Sequence, residues 1–309
     1  MTATPTARVL ARPPSGDLVL LGVAVVAIST SGPLIAACAA PALAIAFWRC
    51  FLGSAATAAW VGVRHRSEVA ALTRRHWRLM VGAGLLLGAH FATWVPSLRL
   101  TTVASSTALV ATQPVWAALI AARRGVRIAP IAWVGIAVSL VGVLVLTGVD
   151  FAVTPRALVG DALALAGAIL AALYVTVGET VRVDTSNPTY TAICYAAAAL
   201  GLLALVVVLR VPLTGFSARD WWIILAITIG AQLLGHTLVN RVLATTSATV
   251  VSLAILLEMP GSTLIAAAWL GQVPPLAVLP AALLLLAGIV LVIRSTTTAT
   301  DPPSETLPV

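Results

Sequence analysis

The sequence predicts an all-α membrane protein with ten transmembrane helices in two inverted five-helix halves. Three observations carry that reading. The 309 residues are 60% hydrophobic and only 9% charged, with a mean hydropathy of +1.06, whereas a soluble domain is about 45–50% apolar and about 25% charged. A soluble fold could neither bury so much apolar surface nor cover itself with so few charges, so its solvent is lipid. Apolar runs long enough to cross a bilayer recur along the chain, and special residues of the first half recur in the second at a fixed offset. Soluble enzymes, secreted modules and disordered proteins are thereby excluded.

A helix crossing roughly 30 Å of hydrocarbon needs about 20 apolar residues. On that criterion the first half holds helices at 18–37, 42–63, 77–95, 101–122 and 128–147. The second half holds them at 158–179, 189–209, 221–239, 244–270 and 276–293. Proline punctuates the ends, at Ala40-Pro41, Val95-Pro96, Thr154-Pro155, Asn187-Pro188, Val211-Pro212 and Pro274-Pro275, because it cannot continue a helical ladder. The first run follows Arg8 and Arg12 and ends in IAACAA, as a signal peptide would, but it has a partner in the second half and is read as a retained helix. Residues 1–16 and 295–309 are cytoplasmic tails, the latter polar, proline-containing and expected to be disordered.

A net charge of +8 would suggest nucleic acid in a soluble protein. Here every basic residue is Arg and most lie in short loops, where they hold cytoplasmic ends against translocation. With the amino terminus inside, only Arg99, Arg156, Arg210 and Arg219 fall outside, and Arg49 falls within a span. Both termini of a multi-pass plasma-membrane protein are then cytoplasmic. Cys38, Cys50 and Cys194 lie in or beside apolar runs and read as buried thiols.

Sliding the chain on itself by 146 positions pairs Gly84 with Gly230, His90 with His236, Ser106 with Ser252, Pro114 with Pro260, Gly125 with Gly271 and Gly142 with Gly288. Nearby offsets pair Gly16-Asp17 with Gly160-Asp161 and Pro41 with Pro188. The halves are 17–149 and 150–294. Five helices is an odd number, so the second half enters the membrane from the opposite side, the architecture of alternating-access carriers.

The strings VAISTSGP at 26–33, PALAIAFWR at 41–49, TTVASSTALVATQPVWAALI at 101–120 and TTSATVVSLAILLEMPGSTLIAAAWLGQ at 245–272 carry a family resemblance. In that order, across residues 17–294, the chain resembles the EamA-like, ten-helix branch of the drug/metabolite transporter superfamily. The resemblance implies a carrier moving a small metabolite or drug-like solute, most often outward, with a pocket lined by helices one to four and six to nine and with helices five and ten peripheral. It also makes Arg common at position 49. The chain departs from the family where acids often follow the fourth and ninth helices: here stand Arg124-Gly125 and Gly271-Gln272.

An ionisable group within hydrocarbon is a functional candidate by default. Glu258 lies about midway along the ninth helix, two residues before Pro260, which removes a ladder hydrogen bond and frees a carbonyl upstream. It reads as a proton-coupling carboxylate, a partner for a cationic substrate group, or a packing acid. Ser247, Glu258 and Ser262 share one helix face. Arg49 either neutralises Glu258, holds an anionic substrate group, or makes a structural contact. Gln113, before Pro114, is the repeat counterpart of Met259, so it reads as pocket lining at mid-depth beside Glu258, or as an interhelical hydrogen bond. His90 and His236 are equivalent and read as packing residues or as gate and relay groups; without nearby Cys or acids they make a poor metal site. Trp94 and Tyr174 are candidate substrate-stacking aromatics, Asn240 a further pocket residue, and Asp17 and Asp161 read as helix caps.

No cofactor and no metal are expected. The partners are a small-molecule substrate, the bilayer and protons as coupling ion, with no nucleic acid; a homodimer is left open. The rival from another class is an intramembrane lipid-modifying enzyme, which would need clustered acids or a His and acid dyad that the short basic loops lack. A passive channel or lipid flippase is the second rival.

Overall fold

The computed structural model describes residues 15–125, 128–182, 184–242 and 254–298. Most described residues are helical, and no strand occurs among them. The first half runs α1 (Ser15–Ser29), α2 (Ser31–Ala37), α3 (Ala42–Arg64), α4 (Arg66–Ala71), α5 (Arg74–Ser97), α6 (Val103–Val110), α7 (Gln113–Arg123) and α8 (Pro130–Val153). The second runs α9 (Ala157–Arg182), α10 (Asn187–Val208), α11 (Ala218–Ala226), a π-helical segment (Ile227–Gly235), α12 (His236–Val242), α13 (Glu258–Leu270) and α14 (Val278–Thr298).

Among the described residues, seven stretches are long and apolar enough to cross a bilayer: Gly16–Ala37, Ala42–Arg64, Arg74–Ser97, Val103–Arg123, Ala157–Arg182, Asn187–Val208 and Ala218–Val239. Pro130–Leu146 and Val278–Arg294 are shorter apolar helices. Leu144, Val208, Leu264 and Leu283 stand largely exposed on the bundle's outside, as expected of a surface facing lipid. Cys38, Cys50 and Cys194 are buried free thiols.

Several spans predicted as continuous helices are not. The first breaks at Thr30, between α1 and α2, and the fourth breaks at Ala111–Thr112, between α6 and α7. The ninth turns at Leu256–Leu257, so Glu258 opens α13 rather than sitting inside an uninterrupted helix. Each break lies just upstream of a proline, Pro33, Pro114 or Pro260, whose missing N–H interrupts the i→i−4 ladder. The chain does not unwind there. Thr112 N–H donates to Leu109 O at 3.2 Å and Met259 N–H to Leu256 O at 3.3 Å, so the turns tighten into i→i−3 bonds. Pro260 therefore leaves no free Leu256 carbonyl, contrary to the sequence expectation.

The two halves pack through pairs that the 146-residue offset exchanges. α8 lies along α14. A Cβ added to Gly142 would stand 2.9 Å from Leu285 N and 3.2 Å from Ala281 O, and one on Gly288 would stand 2.6 Å from both Gly135 O and Ser139 N. The offset maps Gly142 onto Gly288, Gly135 onto Ala281 and Ser139 onto Leu285, so each contact is the image of the other. Early residues of α8 meet late residues of α14, so these two equivalent helices run antiparallel, their backbones brought close by glycine. The paired glycines Gly125 and Gly271 both take positive φ, +85° and +67°. Gly271 ends α13 in the left-handed region and Gly125 closes the turn after α7.

Each half also reaches the start of the other half's second span with a carboxylate. Glu68, on α4, accepts hydrogen bonds from Ser186 N–H at 2.6 Å, Ser186 Oγ at 2.6 Å and Thr189 Oγ1 at 2.8 Å, tying the first turn of α10. Asp220, at the start of α11, accepts from Ala39 N–H at 2.7 Å just ahead of α3. Asp161 is not a cap: it lies in the second turn of α9, buried.

Candidate functional site

Arg49 is buried, 1% exposed, eight residues into α3. Its Nε–H donates to Gln232 Oε1 at 2.8 Å, and its guanidinium lies over the Phe91 ring at 4.2 Å from the centroid. Gln232 reaches it because the residue one helical turn below Arg49 is Gly53: a Cβ there would stand 2.6 Å from Gln232 Nε2. Gln232 lies in the π-helical segment, buried at 1%. An i→i−5 ladder shifts the side chains that follow it around the helix, a device common at functional positions.

Glu258 is half-buried at the first position of α13, where the positive end of the helix dipole favours a carboxylate. It lies close enough to Arg49 for each to feel the other's charge, yet the two form no ion pair. The direct neutralisation weighed from the sequence is therefore not the contact made; Arg49 pairs with Gln232 instead. Four residues on, Ser262 is buried and its Oγ donates to Ser29 O at 2.8 Å. That carbonyl is the one Pro33 cannot satisfy, being four residues upstream of it. Ser29 Oγ and Ser31 Oγ are buried without partners at the same break.

His90 is buried on α5, where Nδ1–H donates to Gly167 O at 2.9 Å across to α9. Its ring stacks on Trp94, centroids 5.7 Å apart and planes 14° apart, with Phe91 beside it at 4.9 Å. The positions His90, Phe91 and Trp94 thus form one aromatic wall next to Arg49. Trp94 is 5% exposed and its Nε1 has no partner. Tyr174 stacks on Tyr190 at 6.2 Å, between α9 and α10. Gln113 is half-buried at the first position of α7. The two proline-broken spans meet at their breaks, since Leu109 and Met259 share one buried cluster and Val115 and Leu256 another. His236 and Asn240 lie on α12 but their side chains, like Ser247 and Ser252, lie outside the described residues.

Of the eight pocket residues read from the sequence, contacts link Arg49, His90 and Trp94 through Phe91, whereas Tyr174 pairs with Tyr190 elsewhere; Phe91 and Gln232 were not singled out by the sequence. Gln232 falls opposite Leu86 in the repeat, so symmetry gave no hint of it. A lone amide in an apolar span was the available signal. A cavity of about 520 Å³ lies elsewhere, lined by Ser54, Ala58, Trp77, Leu85, Ala196 and other residues of α3, α4, α5 and α10.

The family model of the EamA-like transporter family matches residues 14–148 and again residues 158–294. The chain belongs to the EamA-like transporter family. It is accordingly a multi-pass membrane transporter of the drug/metabolite transporter superfamily, built from two EamA repeats. Fourteen solved chains match. One, a crystal structure of a protein 21% identical to this chain, aligns over 93% of this chain and 99% of its own with a TM-score of 0.64, and so shares the fold. No curated protein matches. The members of this family are transporters rather than enzymes.

Proposed function

We propose that this EamA protein is a ten-span carrier of two inverted halves, residues 17–149 and 150–294, that exports a small metabolite or drug-like solute across the plasma membrane by alternating access. Both termini lie in the cytoplasm on this reading. The antiparallel, offset-exchanged contact of α8 with α14 supports the inversion. The observation that carries the functional reading is the buried Arg49–Gln232 pair, with Glu258 near enough to feel the guanidinium charge, beside spans broken at Thr30, Thr112 and Leu257. Broken helices around buried polar groups are how carriers build a substrate site inside a bilayer.

Arg49, His90, Trp94, Gln113, Tyr174, His236, Asn240 and Glu258 line that site in this proposal, with Pro114 and Pro260 as its helix breaks. Glu258 is the coupling group, taking up and releasing a proton as the site faces the two sides. The test starts from solutes that differ between overexpressing and deletion cells, followed in proteoliposomes. A carrier exchanges labelled for unlabelled solute in counterflow, and a pore does not. Glu258→Gln is expected to keep exchange but lose its pH dependence; an unchanged pH profile would remove the coupling role.

A further inference from the structure

Arg49 is a charge with most of its hydrogen bonds unmade. A guanidinium carries five N–H donors, and here only Nε–H is used, on Gln232. Nη1 is buried with no partner. Two other nitrogens of the same neighbourhood, Gln232 Nε2 and Trp94 Nε1, are likewise buried without acceptors. One face of the guanidinium is covered by Phe91, so what it can still offer lies in its plane, where the paired terminal nitrogens form a fork. Among the described residues no carboxylate pairs with it; Glu258 lies nearby without an ion pair.

A buried cation ringed by surplus donors is unfavourable unless an acceptor completes it. From this we infer that Arg49 receives the carboxylate of the transported solute, its Nη fork taking the two oxygens, with the body of the solute against the Phe91, His90 and Trp94 wall. The inference rests on the carrier reading above and deepens it by naming the substrate class as carboxylate-bearing solutes. A monoanion fits better than a phosphate dianion, because the single guanidinium of Arg49 balances one negative charge. Arg49 is closed off in this conformation, so the solute enters during the opening that alternating access requires. Whenever Glu258 is ionised, it and the incoming carboxylate compete for the same positive charge.

The competition makes the test two-sided. Benzoate, benzylammonium and phenyl phosphate are presented separately to the full-length protein in lipid nanodiscs, and binding is followed by equilibrium dialysis. Benzoate is expected to bind in preference to the other two. Its Kd should rise about tenfold in Arg49→Gln, as expected for loss of a forked charge-assisted pair, and by less in Arg49→Lys, which keeps the charge but not the fork. In Glu258→Gln it should fall at alkaline pH, where wild-type Glu258 is ionised, because the competing anion is gone. A misfolded variant would lose binding in both cases, so the opposite signs separate recognition from structure. Benzoate binding that is absent, or is unchanged in Arg49→Gln, or is weaker than that of benzylammonium or phenyl phosphate, would overturn the proposal. Counterflow of an uncharged or cationic solute, unaffected by Arg49→Gln, would do so while leaving the carrier reading intact; loss of all counterflow would remove that reading itself.

Discussion

Pro33 has no N–H to give the Ser29 carbonyl, and the hydroxyl of Ser262 supplies the bond from another span. The approach is close because the preceding residue is glycine: a Cβ on Gly261 would stand 3.0 Å from Ser29 Cβ and nearer still to its Oγ. Ser262→Ala should therefore cost about 1 kcal/mol, the usual size of an interhelical hydrogen bond in a membrane, read as a lower melting temperature in detergent. Gly261→Ala should cost more, because the side chain would push the first span from α13; equal or smaller loss would mean that the contact is not tight. The motifs STSGP and EMPGS gave each proline and serine in the sequence but not the fact that one repairs the other. Such pairing is long-range, and neither string holds its partner's position. Gln232 escaped for a related reason: the residue that makes it reachable is Gly53, in a different helix.

Helices in this protein are held by two devices that do not depend on hydrophobic burial. One is the glycine crossing of α8 and α14. Gly142→Val places a branched side chain against the Leu285 backbone, and overpacking of this kind typically costs about 1–3 kcal/mol. The expected result is a lower melting temperature with unchanged solute affinity per folded molecule, since neither helix carries Arg49, Gln232 or the aromatic residues around them; altered affinity at unaltered stability would contradict that separation. The other is the pair of carboxylates, Glu68 and Asp220, at the starts of α10 and α3. Burial alone would raise the Glu68 carboxyl, but the hydrogen bonds from Ser186 and Thr189 and the neighbouring His65 outweigh it and hold it below the usual carboxylate range. A lowered folded value means that the stabilisation is present above the unfolded pKa of about 4.3 and is lost as pH falls through the folded one. Glu68→Gln should lower stability at pH 7 by about 1–2 kcal/mol, the size of hydrogen bonds to a partly exposed charge, with the gap from wild type closing under acid. A gap that persists at pH 2 would show that the charge is not what matters. Seven of the span positions were legible, because each requires only a run of apolar residues. The breaks were half legible: Pro114 and Pro260 marked where the ladder fails, but the i→i−3 turns that keep those segments compact, and the π-helical register of 227–235, depend on packing across the bundle.

Across the whole molecule, an exterior of exposed leucine and valine surrounds a narrow polar interior, the reverse of what water would select. Arginine asymmetry and the repeat together predict that corresponding loops of the two halves face opposite sides of the membrane. Ser67, on the short helix α4 that connects α3 to α5, and Thr214, in the corresponding connection after α10, are both exposed and test that directly. The native cysteines are buried, so single Ser67→Cys and Thr214→Cys variants can be labelled with a membrane-impermeant maleimide on intact cells. The inverted carrier predicts that the cysteine at 214 is labelled at once and the one at 67 only after the membrane is permeabilised. Labelling of both from the same side would contradict it.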